Sequence, residues 1–177
     1  MKYTVVDGHC DTPMELWLRQ ENLRSNTCQV SLERAKKLSG YVQFYAFCTV
    51  WLEQDGSFEA HYAAALEHFN RQLDENKDQI VRCKNEADAR AAIGSGKCGA
   101  FLSIEGAEAI SCDPGKLELA CAQGVRMIAP AWNAQNALTG SCMTGGGLTA
   151  QGKEFVRRAQ KLGMILDVSH ISEKAFW

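Results

Sequence analysis

Tyr3-Thr4-Val5-Val6-Asp7-Gly8-His9-Cys10-Asp11 opens the chain with an apolar run that ends in an imidazole and a carboxylate two residues apart. Extended backbone sends successive side chains to opposite faces. His9 and Asp11 therefore project to one side, and Cys10 to the other. Both ligand-type groups then reach one metal ion where the strand opens into a loop. Two later runs end in similar groups. Ala100-Phe101-Leu102-Ser103-Ile104 precedes Glu105, and Met164-Ile165-Leu166-Asp167-Val168-Ser169 precedes His170. Three strand ends with metal-type ligands point to one site assembled from distant segments.

Each group alone has a blander reading. His9 is also explained by local hydrogen bonds, and Asp11 by capping a helix that starts near Pro13. Glu105 is also explained by a salt bridge, because a carboxylate ending a core strand is costly unless paired or metal-bound. His170 is also explained as a core histidine. Asp167 is a candidate to orient a ligating histidine from behind. The common strand-end position favours the metal reading over the separate ones.

Working outward, strands are expected at residues 3–7, 41–50, 99–104, 126–131 and 164–168. Helices are expected between them, at 31–38, 57–76, 86–93, 114–122 and 149–162. In the second of these, Phe58, Tyr62, Leu66, Phe69 and Leu73 recur at three- and four-residue steps and form one apolar stripe. Ser31 and Thr149 stand where N-caps belong. Strands alternating with helices argue for parallel β/α units. Their carboxyl-end edge is where sites form in barrels and in doubly wound sheets alike. The chain reads as a single domain, 1–177, with no linker dividing it. A closed (β/α)8 TIM barrel needs roughly 250 residues. The expectation is therefore an α/β barrel of which this chain supplies roughly the first five β/α units. A complete five-stranded open sheet is the alternative, without the glycine signature of a dinucleotide site.

Composition excludes several classes. Lys and Arg number 19 and Asp and Glu 21, a formal net charge of −2, so no basic field marks a nucleic-acid partner. No apolar run reaches the roughly 18 residues of a membrane span, and the N-terminal run is too short for a signal peptide. Eight cysteines without a Cys-x-x-Cys pair read as free, mostly buried thiols of a cytoplasmic protein. His61 and His68 share a helix face that reads as solvated. The glycine-rich run from Gly140 to Gly147 lacks the Lys-Ser/Thr ending of a phosphate loop and reads as a mobile loop near the site mouth. Trp132, Asn133 and Asn136 follow the fourth expected strand, where they are candidates to line a pocket; Trp132 is also explained by barrel-rim packing. Glu108 is a poorer ligand candidate, because the chain has left the strand by then.

These residues resemble the renal (membrane) dipeptidase family. Asp7-Gly8-His9-Cys10-Asp11-Thr12-Pro13 is similar to its first metal motif. Ser103-Ile104-Glu105-Gly106 is similar to the segment of its bridging glutamate. Gly124-Val125-Arg126 to Asn133, then Gly147-Leu148-Thr149 with Gly152, then Leu162 to His170 follow in family order. The resemblance implies a (β/α)8 barrel of the bacterial, cytoplasmic type. It also implies two zinc ions and hydrolysis of dipeptides by a hydroxide bridging them. By carry-over, His9 and Asp11 bind the first zinc, Glu105 bridges both, and His170 binds the second. The family's further zinc histidine, substrate arginine and proton-shuttling aspartate are expected beyond Trp177, leaving the second site incomplete in this chain. Trp132 stands where some members place a substrate-facing histidine, which makes it the substrate-binding candidate. A second copy of the chain is a candidate partner. Two other readings stand beside this one: a related amidohydrolase barrel acting on cyclic amides or lactones, and a non-catalytic truncated fragment.

Overall fold

The structure, a computed structural model, describes residues 3–52 and 57–177. Thirteen elements follow one another: β1 Thr4–Cys10, α1 Thr12–Arg19, α2 Leu32–Ala35, β2 Gly40–Phe47, α3 Phe58–Glu75, β3 Ile80–Arg82, α4 Glu86–Gly94, β4 Cys98–Glu105, α5 Leu117–Ala122, β5 Val125–Ala129, α6 Ala150–Lys161, β6 Ile165–Leu166 and α7 Glu173–Phe176. The strand order is β1-β2-β4-β5-β6, with β3 also pairing β4. Two compact units share the chain. One is Met1–Phe47 with Ala63–Leu102, the other Cys48–Tyr62 with Ser103–Trp177, and β4 runs from the first into the second.

In the first unit β1 runs parallel to β2, from Thr4 opposite Gly40 to Asp7 opposite Gln43. The next pair is Cys10 with Tyr45, so three steps on β1 face two on β2. An extra residue of this kind bends a strand and re-aims its side chains, here at Gly8 and His9. β2 is buried along nearly its whole length, as expected for a strand covered on both faces. Tyr45, Phe47 and Phe69 form the aromatic core, with ring centroids 4.8 Å apart for Tyr45–Phe69 and 6.1 Å for Phe47–Phe69. Burying Phe69 fully contributes about 2–3 kcal/mol relative to exposure. That fixes the α3 stripe against the strands.

In the second unit β5 and β6 are parallel, with Met127 opposite Ile165 and Ile128 opposite Leu166. Helix α6 starts where Thr149 Oγ1 accepts the Gly152 N–H at 3.0 Å, and it buries Phe155 and Ala159. The Ser31 cap is also present, accepting from the Arg34 N–H.

Several expectations change. Strand β3 was not expected: Ile80-Val81-Arg82 is too short to show alternation, and pairing with β4 is what makes it a strand. The second strand stops at Phe47, and Val50–Leu52 is a 3₁₀ turn. The strand expected at 164–168 shrinks to two residues, because the Asp167 carboxylate takes the Ser169 N–H and turns the chain. His68 is buried, not solvated, and its Nε2 has no hydrogen-bond partner among the described residues. Its position beside Phe69 widens the apolar stripe beyond the residues that define the period. No helix among the described residues is long and apolar enough to cross a membrane.

Candidate metal centre

The first unit brings His9 and Asp11 together. Cys10 between them is buried while both neighbours are exposed, the alternation expected of extended backbone. His9 Nε2 lies 3.5 Å from Asp11 Oδ1. Asp11 occupies the N-cap position of α1, yet its side chain makes no cap hydrogen bond. Its backbone carbonyl accepts the Met14 N–H instead. The capping explanation of Asp11 therefore falls away, and the carboxylate remains directed to the imidazole. Burial pushes the Cys10 thiol up to about 12. Its side chain points to the opposite face from His9 and Asp11, away from the candidate ligands.

The second unit brings Glu105 and His170 together. Glu105 ends β4 as a nearly buried carboxylate. The chain must turn at once, and Gly106 lets it, with φ +89°. A Cβ there would stand 2.8 Å from Val50 Cγ2. His170 Nε2 lies 2.9 Å from Glu105 Oε1, and its Nδ1 lies 3.0 Å from Asn133 Oδ1. The Trp132 ring stands 6.2 Å from the His170 ring, centroid to centroid. Asp167 does not orient His170, since its carboxylate serves the Ser169 N–H. That place is taken by Asn133. The sequence marked Asn133 as a candidate pocket-lining residue but not as the partner of His170, from which 37 residues separate it.

The glycine-rich run is not loose. Gly140 passes so close to Gly145 that a Cβ would overlap the Gly145 carbonyl oxygen at 1.4 Å. Ser141 and Gly145 close a turn through the Gly145 N–H at 2.8 Å. The Ser172 hydroxyl donates to the Gly146 carbonyl. Asn136 is a loop brace: its Nδ2 donates to Glu108 Oε1 at 3.0 Å and to the Pro130 carbonyl at 2.8 Å. Desolvation holds the Glu108 carboxyl above the usual carboxylate range. Glu108 also borders a cavity of about 600 Å³ with Phe58, Ser111 and Asn136, and neither Glu105, Trp132 nor His170 lines it.

The donor sets fit zinc. Ligand atoms about 2.0–2.1 Å from a tetrahedral ion stand about 3.3 Å from each other. The His9–Asp11 separation of 3.5 Å matches that spacing, and the Glu105–His170 pair needs to open by only a few tenths of an ångström. Imidazole and carboxylate are donors that zinc accepts.

Comparison with known proteins gives the family and the fold. All 177 residues match the family described as membrane dipeptidase, peptidase family M19, and the chain belongs to that family. Among curated relatives, an uncharacterised protein of the PQQ-III 3′ region of Acinetobacter calcoaceticus is 35% identical over 114 residues, 60% of this chain and 36% of that protein. Dipeptidase tcpJ of Claviceps purpurea is 29% identical over 133 residues, 70% of this chain and 31% of that protein. A solved M19 metallopeptidase, dipeptidase AC, superposes with TM-score 0.84 at 25% identity, covering 99% of this chain and 59% of its own. A metallopeptidase of Rhodobacter sphaeroides, solved with a phosphinate mimic of the dipeptide L-Ala-D-Ala, gives 0.82 at 24% identity, covering 99% and 61%. The chain thus spans about a third of the curated relatives it matches. Its fold is the parallel α/β fold of these barrel peptidases, of which it supplies part.

Proposed function

We propose that this protein hydrolyses the peptide bond of dipeptides at a centre of two zinc ions, with His9, Asp11, Glu105 and His170 among the ligands. The observation that carries this reading is the repeated pairing of an imidazole with a carboxylate, His9 with Asp11 and His170 with Glu105, at 3.5 and 2.9 Å. Family membership supports the reaction class. The Claviceps relative bears the name dipeptidase, and the Rhodobacter neighbour holds a dipeptide mimic. That mimic supports a substrate with a D-residue at its C-terminal position. Free thiols at all eight cysteines, six of them buried, support a reducing, cytoplasmic setting.

His9 and Asp11 would be ligands of the first ion, Glu105 of both and His170 of the second. Bound zinc polarises a carbonyl and lowers the pKa of water toward neutrality. Glu105 is nearly buried, so its charge is poorly screened and stays directed at the cations. Trp132, whose ring stands 6.2 Å from that of His170, would offer an apolar face to the substrate. His-x-Asp rather than His-x-His at the first strand weighs against the cyclic amide and lactone reading.

The test is zinc content and turnover of L-Ala-D-Ala by the intact protein and its Glu105→Ala variant. The expected result is two zinc ions and hydrolysis in the wild type, with at least one ion and nearly all turnover lost in the variant. A wild type that binds no zinc sinks the metal centre. Turnover of a lactone but not of dipeptides supports the amidohydrolase alternative.

A further inference from the structure

His170 adopts a left-handed backbone, with φ +66°. For a residue with a Cβ this conformation costs roughly 1–2 kcal/mol and persists only where surrounding bonds impose it. One loop imposes it here. The Cys142 N–H donates to the His170 carbonyl at 2.7 Å, and Ser141 bridges Ile171 in antiparallel fashion. The Ser172 N–H donates to the Gly140 carbonyl at 3.3 Å. The same loop reaches the ring. Asn133 Oδ1 stands 3.0 Å from Nδ1, and the Asn133 carbonyl accepts the Ser141 hydroxyl at 2.6 Å. Backbone and imidazole of His170 are thus set by one hydrogen-bonded segment.

We propose that Asn133 is a positioning residue that fixes the tautomer of His170. An amide oxygen only accepts, so the ring nitrogen facing it carries the proton. With Nδ1 protonated, Nε2, the nitrogen that faces Glu105, is the one that offers its lone pair when a cation takes the place of its proton. That is the form a divalent cation requires. The inference rests on the metal-centre reading above and adds to it how one ligand is prepared. Losing such a partner typically weakens metal binding 10–100-fold. Asn133 is exposed, so water partly replaces its oxygen, and the expected loss is about tenfold.

The experiment compares zinc affinity, by chelator competition, of the intact wild-type protein with Asn133→Leu and Asn133→Asp. Asn133→Leu keeps the shape and removes the acceptor. Asn133→Asp restores an oxygen at the same place. The inference expects about tenfold weaker zinc for Asn133→Leu and near wild-type affinity for Asn133→Asp. It also expects a slowly exchanging His170 Nδ1–H resonance in the zinc-loaded wild type that is lost in Asn133→Leu. Should Asn133→Leu fail to fold, Asn133→Ser, too short to reach the ring, takes its place. Equal affinity and an unchanged resonance in the leucine variant overturn the inference and leave the metal centre standing. An aspartate variant as weak as the leucine variant overturns it too, because the loss is then structural. A wild type that binds no zinc overturns both.

Discussion

Nε2 of His170 lies 2.9 Å from Oε1 of Glu105, nearer than two donors stand when both hold one tetrahedral ion. At this distance Nε2–H donates to the carboxylate. A cation held by both groups would replace that one bond with two ligand bonds. Zinc at one hundred times its dissociation constant therefore stabilises the fold by about 2.7 kcal/mol through mass action. Melting of the intact protein with zinc and with excess chelator measures it. The melting temperature is expected to fall on chelation in the wild type and to respond much less to zinc in Glu105→Ala. A wild type indifferent to chelator contradicts the pairing as a metal site.

Gly106 follows Glu105 with φ +89° and ψ +110°, a region that residues with a Cβ avoid. A methyl there meets Val50 Cγ2 at 2.8 Å and Glu108 Oε2 at 3.0 Å. Backbone strain of about 1–3 kcal/mol adds to an overpacking cost of about 1–3 kcal/mol. Gly106→Ala is expected to lose about 2–6 kcal/mol in urea denaturation, with weaker zinc binding because Glu105 shifts with the turn. A loss below about 0.5 kcal/mol, the range of ordinary surface changes, argues that the turn relaxes freely.

Glu108 carries the pH dependence. Its Oε1 accepts from Asn136, while Oε2 is buried without a partner among the described residues. Burial raises its folded-state pKa above the unfolded value. A carboxyl raised in this way contributes stability that is complete below the unfolded pKa and is lost as pH rises through the folded one. Glu108→Gln does not ionise and escapes that loss. The melting temperature of Glu108→Gln relative to wild type therefore rises as pH goes from 4 to 7. Glu59, lowered by the Lys116 and Ser111 hydrogen bonds, loses its contribution as pH falls, but both proteins share it and it cancels. A difference that stays flat over that interval counts against a desolvated Glu108.

Much of this site was legible because strand ends and alternation are local. His9, Cys10 and Asp11 follow from period two alone, and the Ser31 and Thr149 caps from side-chain chemistry next to a helix start. What was hidden depends on partners far along the chain. Ile80-Val81-Arg82 becomes a strand only through β4. His68 is buried because the packed face is broader than the stripe. The choice of Asn133 over Asp167 as the partner of His170 turns on a left-handed residue and a loop closure that no residue pattern announces.

Cys10 and Cys142 differ in a way that checks the alternation at the first strand directly. Cys10 is buried and Cys142 exposed. Desolvation pushes Cys10 up to about 12, outweighing the opposing Thr12 hydrogen bonds, and Cys112 is pushed to about 12 as well. At pH 8 only about one such thiol in ten thousand is the reactive thiolate. Iodoacetamide is therefore expected to label Cys142 first, with Cys10 and Cys112 modified only on global unfolding, as mass spectrometry of timed digests reads. Labelling of Cys10 at the rate of Cys142 in the folded protein means that residue 10 faces solvent. The period-two strand would then turn His9 and Asp11 inward, and the first half of the proposed metal centre would be lost.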